Sequence, residues 1–238
     1  MIKTANGYYL HIPKTAGMWT RNILQPVTLE YEEHGIPPAG FSHPNVYAFV
    51  RNPWSWYYSM YTFLTKGSEV FSKSGLKFVP VLDLIEQPKS FNQFLHSLCT
   101  PSKMFKQRIL QYYRLLFRDE QQQKNTLVDL NRQLEEDPEG RILIEWIDRD
   151  ISYYEQVASN YLRYATVVGK YETLRDDLLM MLRHSGDSTI DIEQRVVNDL
   201  PFNVTAGSTD YRPVYDYHMA EVVEWTSKFL EPYKYTYE

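Results

Sequence analysis

The chain has one cysteine in 238 residues, so no intramolecular disulfide framework can hold it and its stability has to come from a core. That cysteine, Cys99, and six scattered histidines give no structural-zinc spacing. No run reaches the roughly 18 apolar residues of a membrane helix. Met1 to Gly7 hold no apolar segment of signal-peptide length. A basic excess is missing too: 25 Lys and Arg stand against 30 Asp and Glu, a net charge of -5. That balance speaks against a general binder of nucleic acid or anionic membranes. We therefore expect a cytoplasmic protein in a reducing compartment, without membrane insertion, nucleic-acid partner or metal. An anion site in it has to be a local basic pocket.

What is present is a globular composition, 43% hydrophobic and 23% charged, long enough for one domain spanning 1–238. Twenty tyrosines are the unusual feature. Each has a large apolar body and a polar tip, so most are expected to pack, with a few lining a cleft.

Tyr8 to Ile12 reads as a strand, 13–17 as a loop and 18–25 as a helix. Val46 to Val50 reads as a second strand, with Asn52 as cap and Pro53 as first residue of a helix running to about Thr65. Ala165 to Gly169 is a third strand, before helices over 174–184 and 190–198. Strands alternating with helices predict an α/β fold with a central parallel sheet flanked by helices. The middle, about 68–160, reads as a helical insertion, with segments starting at Ser90, over Met104–Arg118 and over Asp148–Arg163. Glu120 to Lys124 reads as a solvated stretch and Asn203 to Thr209 as a loop. A last helix is expected over Pro213–Phe229.

Two strand ends carry chemistry. After the first comes Pro13-Lys14-Thr15-Ala16-Gly17-Met18-Trp19. Loop N–H groups and a helix N-terminus can cradle a phosphate there, with Lys14 adding charge and Thr15 a hydroxyl. The Walker order, with lysine at the end of a glycine-rich loop, is absent. After the second strand comes Arg51-Asn52-Pro53-Trp54, then Ser59 eight residues past the arginine. Arg51 offers a planar fork for phosphate oxygens, and Ser59 lies about 10 Å along the helix. Two anion-seeking turns imply a ligand with two separated phosphates.

His11-Ile12-Pro13-Lys14-Thr15-Ala16-Gly17 resembles the 5′-phosphosulfate loop of sulfotransferases that use 3′-phosphoadenosine 5′-phosphosulfate (PAPS). Phe49 to Trp54, through Ser59, resembles their 3′-phosphate motif. The flavour is that of carbohydrate-type and bacterial or phage-like members. Val168-Gly169-Lys170-Tyr171-Glu172-Thr173-Leu174 is similar to the element whose tyrosine reaches the adenine, and Asp210 to Asp216 to the segment before the last helix. The resemblance implies a P-loop-like three-layer fold, PAPS as donor and 3′-phosphoadenosine 5′-phosphate (PAP) as product. It further implies that Lys14, Thr15, Ala16, Gly17 and Met18 surround the 5′-phosphate. Trp19 would lie against adenine, Arg51 and Ser59 on the 3′-phosphate with Arg212 as a further contact, and Tyr171 against the base. Met18 departs from the pattern, since the family commonly has a hydroxyl there.

Sulfuryl transfer needs in-line positioning and charge stabilisation at the leaving oxygen, plus a base for the acceptor. His34, between the two motifs, is the first candidate; His43, His11, Glu32 and Glu33 remain open. His96, His184 and His218 read as structural. The resemblance implies an acceptor with a hydroxyl or amine, a small molecule or glycan. A non-catalytic nucleotide binder and an atypical ATP-dependent phosphotransferase are the alternatives.

Overall fold

Five short strands pair into one sheet in a computed structural model that describes residues 1–66, 90–120, 138–199 and 211–237. They are β1 (Ile2–Lys3), β2 (Tyr8–Leu10), β3 (Glu30–Tyr31), β4 (Val46–Val50) and β5 (Val167–Lys170), in the order β3-β1-β2-β4-β5. The described residues fall into two compact units, Met1–Asn52 with Val157–Ala206, and Pro53–Gln156 with Gly207–Glu238.

The first unit holds the sheet, which is mixed where a parallel one was expected. β2, β4 and β5 run parallel, whereas β1 pairs antiparallel with both β2 and β3. Thr4 to Gly7 make a tight turn that reverses the chain between β1 and β2, with Thr4 N–H donating to the Gly7 carbonyl at 2.9 Å. All five residues of β4 are buried, the pattern of a strand covered on both faces. β2 ends at Leu10, two residues earlier than its apolar run suggests. Pro13 has no N–H to continue a ladder, and Thr15 turns back on the Ile12 carbonyl with both its N–H (3.4 Å) and its hydroxyl (2.7 Å).

Helices α1 (Gly17–Leu24), α7 (Leu174–Ser185) and α8 (Ile190–Asn198) share one apolar cluster with the sheet. Tyr9, Tyr47 and Phe49 meet Trp19, Ile23, Leu178 and Met181 there. Gly169 is required on β5, because a Cβ would come within 2.9 Å of Asp177, Met181 and Phe49. Beside the cluster, the buried Asp187 carboxylate accepts from Thr4 (2.6 Å), Asn6 (2.9 Å) and Ser185 (3.0 Å), tying the β1–β2 turn to the end of α7.

The second unit is helical: α2 (Pro53–Lys66), α3 (Phe91–Cys99), α4 (Lys103–Glu120), α5 (Pro138–Ile147) and α9 (Tyr217–Thr226). Helix α6 (Tyr153–Leu162) begins in this unit and ends in the first. Ser90 caps α3 through the Gln93 N–H, as its position suggests. The pattern missed α5, and α6 starts five residues later than expected because Ser152 caps it through the Glu155 N–H (3.2 Å). α9 is shorter than expected, since Asp216 caps it at Met219 N–H (2.8 Å) and leaves Pro213 in a 3-10 turn.

Aromatic rings build this core. Trp56 and Tyr154 stack at 4.2 Å and 9°, and Trp146 meets Tyr153 at 5.0 Å. The Tyr215 hydroxyl donates to the Trp54 carbonyl (2.6 Å), and Trp54 Nε1 to the Ala220 carbonyl (3.0 Å). Cys99 is buried among them, with Tyr57 and Thr226 as neighbours, and burial pushes its thiol up to about 12. The stretches 121–124 and 203–209 lie outside the described residues. Among the described residues no helix is long and apolar enough to cross a membrane.

Candidate functional site

The ends of β2, β4 and β5 bring together Lys14, Arg51 and Tyr171, which the sequence places up to 157 residues apart. Parallel neighbours deliver their C-terminal ends to the same side, the usual place for a ligand on such a sheet.

The first loop is built from strain. Lys14 and Ala16 both have φ of 67°, the left-handed region that costs a non-glycine residue of order 1–3 kcal/mol. Alternating this conformation along a short loop can turn successive N–H groups to one side. Ala16 is also the N-cap residue of α1, and no side chain caps that helix end. Its first N–H groups are therefore left to loop, water or ligand. Burial lowers the Lys14 ammonium to about 8, with the nearby Arg51 charge adding to the effect.

Gly17 has a steric reason of its own. A Cβ there would meet the His11 ring, 1.7 Å from its Cδ2. The imidazole occupies the space a side chain would need, and it lies in turn against His34 with ring centroids 4.4 Å apart. A cavity of about 10 Å³ below the loop, lined by His11, Thr15, Gly17 and Thr20 among others, has room for roughly one water.

His34 is half-buried, with φ of 52° and its carbonyl held by the Tyr161 hydroxyl at 3.0 Å. Its Nδ1 is buried without a hydrogen-bond partner. Burial holds its pKa below the usual imidazole value, and the Lys14 charge acts in the same direction against Glu33. The ring is therefore neutral near pH 7, the form that accepts a proton. His11 is held still lower, first by burial and then by the charge of His34. Sequence reasoning took His11 for a strand residue; it lies just past β2.

Arg51 closes the arrangement. Its Nη1 donates to the Lys14 carbonyl at 3.1 Å, and its guanidinium lies 4.2 Å from the centroid of the Tyr171 ring. Glu172 accepts the Asn52 N–H at 2.9 Å.

Other expected site residues stand differently. Thr15 is buried and its hydroxyl hydrogen goes to the Ile12 carbonyl, so it shapes the loop and is no outward donor. Trp19 is 1% exposed and its Nε1 donates to the Asp199 carbonyl (3.2 Å), so it belongs to the core and not to an adenine face. Met18 is 49% exposed at the start of α1. Ser59, buried on α2, and Arg212, exposed in a 3-10 turn, belong to the second unit. His43 bonds locally with Asn45, and Glu32 and Glu33 are exposed. Among the described residues no group of His, Cys, Asp or Glu could hold a metal ion.

Comparison with known proteins gives no relative: no family model, no curated protein and no solved structure matches the chain.

Proposed function

We propose that the protein is a PAPS-dependent sulfotransferase of P-loop-like fold, acting on a hydroxyl or amine of a small molecule or glycan. The observation that carries this reading is the pairing of two cations in the loops that follow adjacent parallel strands. Lys14 sits on a left-handed turn before an uncapped helix, and Arg51 is bonded to that turn's carbonyl. Two cations held this close favour a ligand with more than one anionic group.

PAPS, when bound, supplies the sulfuryl group and a bisphosphate leaving group. The loop N–H groups of 16–18 and the Lys14 ammonium would hold the 5′-phosphate and stabilise the charge that grows on its bridging oxygen. Arg51 would hold the 3′-phosphate as a handle that takes no part in bond breaking. His34 would take the proton of the acceptor as its oxygen or nitrogen attacks sulfur in line. Its low pKa fits that task, because the ring is unprotonated at neutral pH.

Titration with adenosine 3′,5′-bisphosphate tests the reading. Saturating ligand is expected to raise the melting temperature by several degrees. A melting temperature unchanged by saturating bisphosphate, or raised equally by ATP, would overturn it.

A non-catalytic binder of the same nucleotide is the second reading. The exposed Met18 side chain and the internally committed Thr15 hydroxyl favour it, as they leave the phosphate fewer hydroxyl donors. Label transfer from sulfur-labelled PAPS to a panel of phenols, sugars and amines separates the two.

A further inference from the structure

The three loop ends are latched neighbour to neighbour, in the same order as their strands. Arg51 after β4 bonds the carbonyl of Lys14 after β2. Tyr171 after β5 lies under the Arg51 guanidinium, and Glu172 accepts the N–H of Asn52. The β5 turn is itself anchored: Asp177 on α7 accepts both the Lys170 N–H (2.6 Å) and the Thr173 hydroxyl (2.8 Å). Tyr171 and Glu172 are thus presented from a pinned turn, each toward one residue of the dipeptide Arg51-Asn52.

We propose that Tyr171 and Glu172 are positioning residues for Arg51, and that Tyr171 acts on the 3′-phosphate through the guanidinium and makes no contact with the nucleobase. This rests on the bisphosphate-binding reading above. A guanidinium over an aromatic face is attracted by the ring quadrupole, and the face it covers is closed to a stacking purine. The Lys14 carbonyl and the Tyr171 ring together restrict a long side chain to one orientation, so less freedom is lost when phosphate binds. Glu172 does the same for the backbone that carries Arg51. The pair therefore sets how well the protein distinguishes a nucleotide with a 3′-phosphate from one without.

The two ligands needed are adenosine 3′,5′-bisphosphate and adenosine 5′-monophosphate, titrated against the full chain by calorimetry. Tyr171→Leu is expected to weaken the bisphosphate about tenfold and to leave the monophosphate within about twofold. Tyr171→Phe, which keeps the ring face, is expected to restore the bisphosphate to within about twofold of wild type. The double variant Arg51→Ala/Tyr171→Leu is expected to bind no worse than Arg51→Ala alone, because the tyrosine acts through the arginine. Glu172→Gln keeps an acceptor oxygen for the Asn52 N–H and is expected to bind like wild type, whereas Glu172→Ala weakens the bisphosphate alone.

Equal loss of both ligands in Tyr171→Leu, or additive losses in the double variant, would overturn the proposal in favour of a base contact. A wild-type protein that binds the two ligands equally would instead overturn the bisphosphate reading and this inference with it. If Tyr171→Leu does not fold, the Tyr171→Phe and Glu172 variants decide by the same ratio of affinities.

Discussion

The sheet-bearing unit carries three of the four described non-glycine residues with positive φ, Lys14, Ala16 and His34; the helical unit carries the fourth, Lys234, in its tail. The first unit also stacks two imidazoles. The second is held by stacked and edge-on rings whose polar tips reach backbone carbonyls, as in Trp54 to Ala220 and Tyr215 to Trp54. One unit concentrates backbone strain, and such strain persists only where the surroundings over-determine it. The other gathers aromatic burial, the cheaper route to stability. Under the function proposed above, the first unit carries the chemistry and the second is the supporting one.

The largest effect should come from the supporting unit. Trp146 is fully buried, so Trp146→Ala is expected to cost about 3–5 kcal/mol in urea unfolding. Affinity for bisphosphate, measured well below the melting temperature, should stay within about twofold of wild type; a large loss would break the comparison. Next comes Lys14→Ala, where losing a charge-assisted contact of about 1.5–3 kcal/mol should weaken bisphosphate ten- to hundredfold. Arg51→Ala should do the same. Gly17→Ala forces a methyl into the His11 ring and is expected to destabilise by about 1–3 kcal/mol. It should also displace His34 in imidazole NMR spectra. Unchanged His11 and His34 resonances would mean the stack does not depend on Gly17.

The pH dependence sharpens the same contrast. Lys14 titrates at about 8, so bisphosphate affinity should fall as pH rises through that value. Stability of the free protein moves the other way: the folded pKa lies below the unfolded one, so the cost of burying this charge is relieved between about pH 8 and 10.5. His34 is held below its usual value, so any transfer activity should rise with pH on the acid side, below about 6.5, giving a bell. Lys14→Ala should abolish the alkaline change in affinity. The smallest effect is Ala16→Gly, which removes the left-handed strain at the cost of chain entropy; a net stabilisation of about 0.5 kcal/mol is expected.

The regular parts of the sheet-bearing unit were legible in the sequence. Val46 to Val50 is a run of apolar residues bounded by turn signals, and it is the strand the pattern predicts. α7 and α8 likewise form where helices were expected, over 174–184 and 190–198, and Thr189 caps α8 through the Ile192 N–H. The two-residue strands β1 and β3 were not legible, because a pair of residues has no periodicity and owes its pairing to partners distant in sequence. Of the site, Lys14 and Arg51 were legible as cations at strand ends. Trp19 was misread because a fully buried indole and a ligand-facing one look alike in sequence. The His11–Gly17 contact and the Glu172–Asn52 bond were hidden for a different reason: each depends on how a loop folds back, which composition does not encode.

The lone thiol has a practical consequence. Cys99 is buried, with its ionisation pushed to about 12, so alkylating reagents reach it only when the aromatic core opens. Its modification rate is a built-in clock for opening of the helical unit, requiring no added label. With Cys99 silent in the native state, a cysteine introduced on an exposed position of the sheet-bearing unit, such as Ile190, can carry a fluorophore as the molecule's single reporter. The two halves of the protein can then be timed separately in one tube, one by alkylation and the other by light.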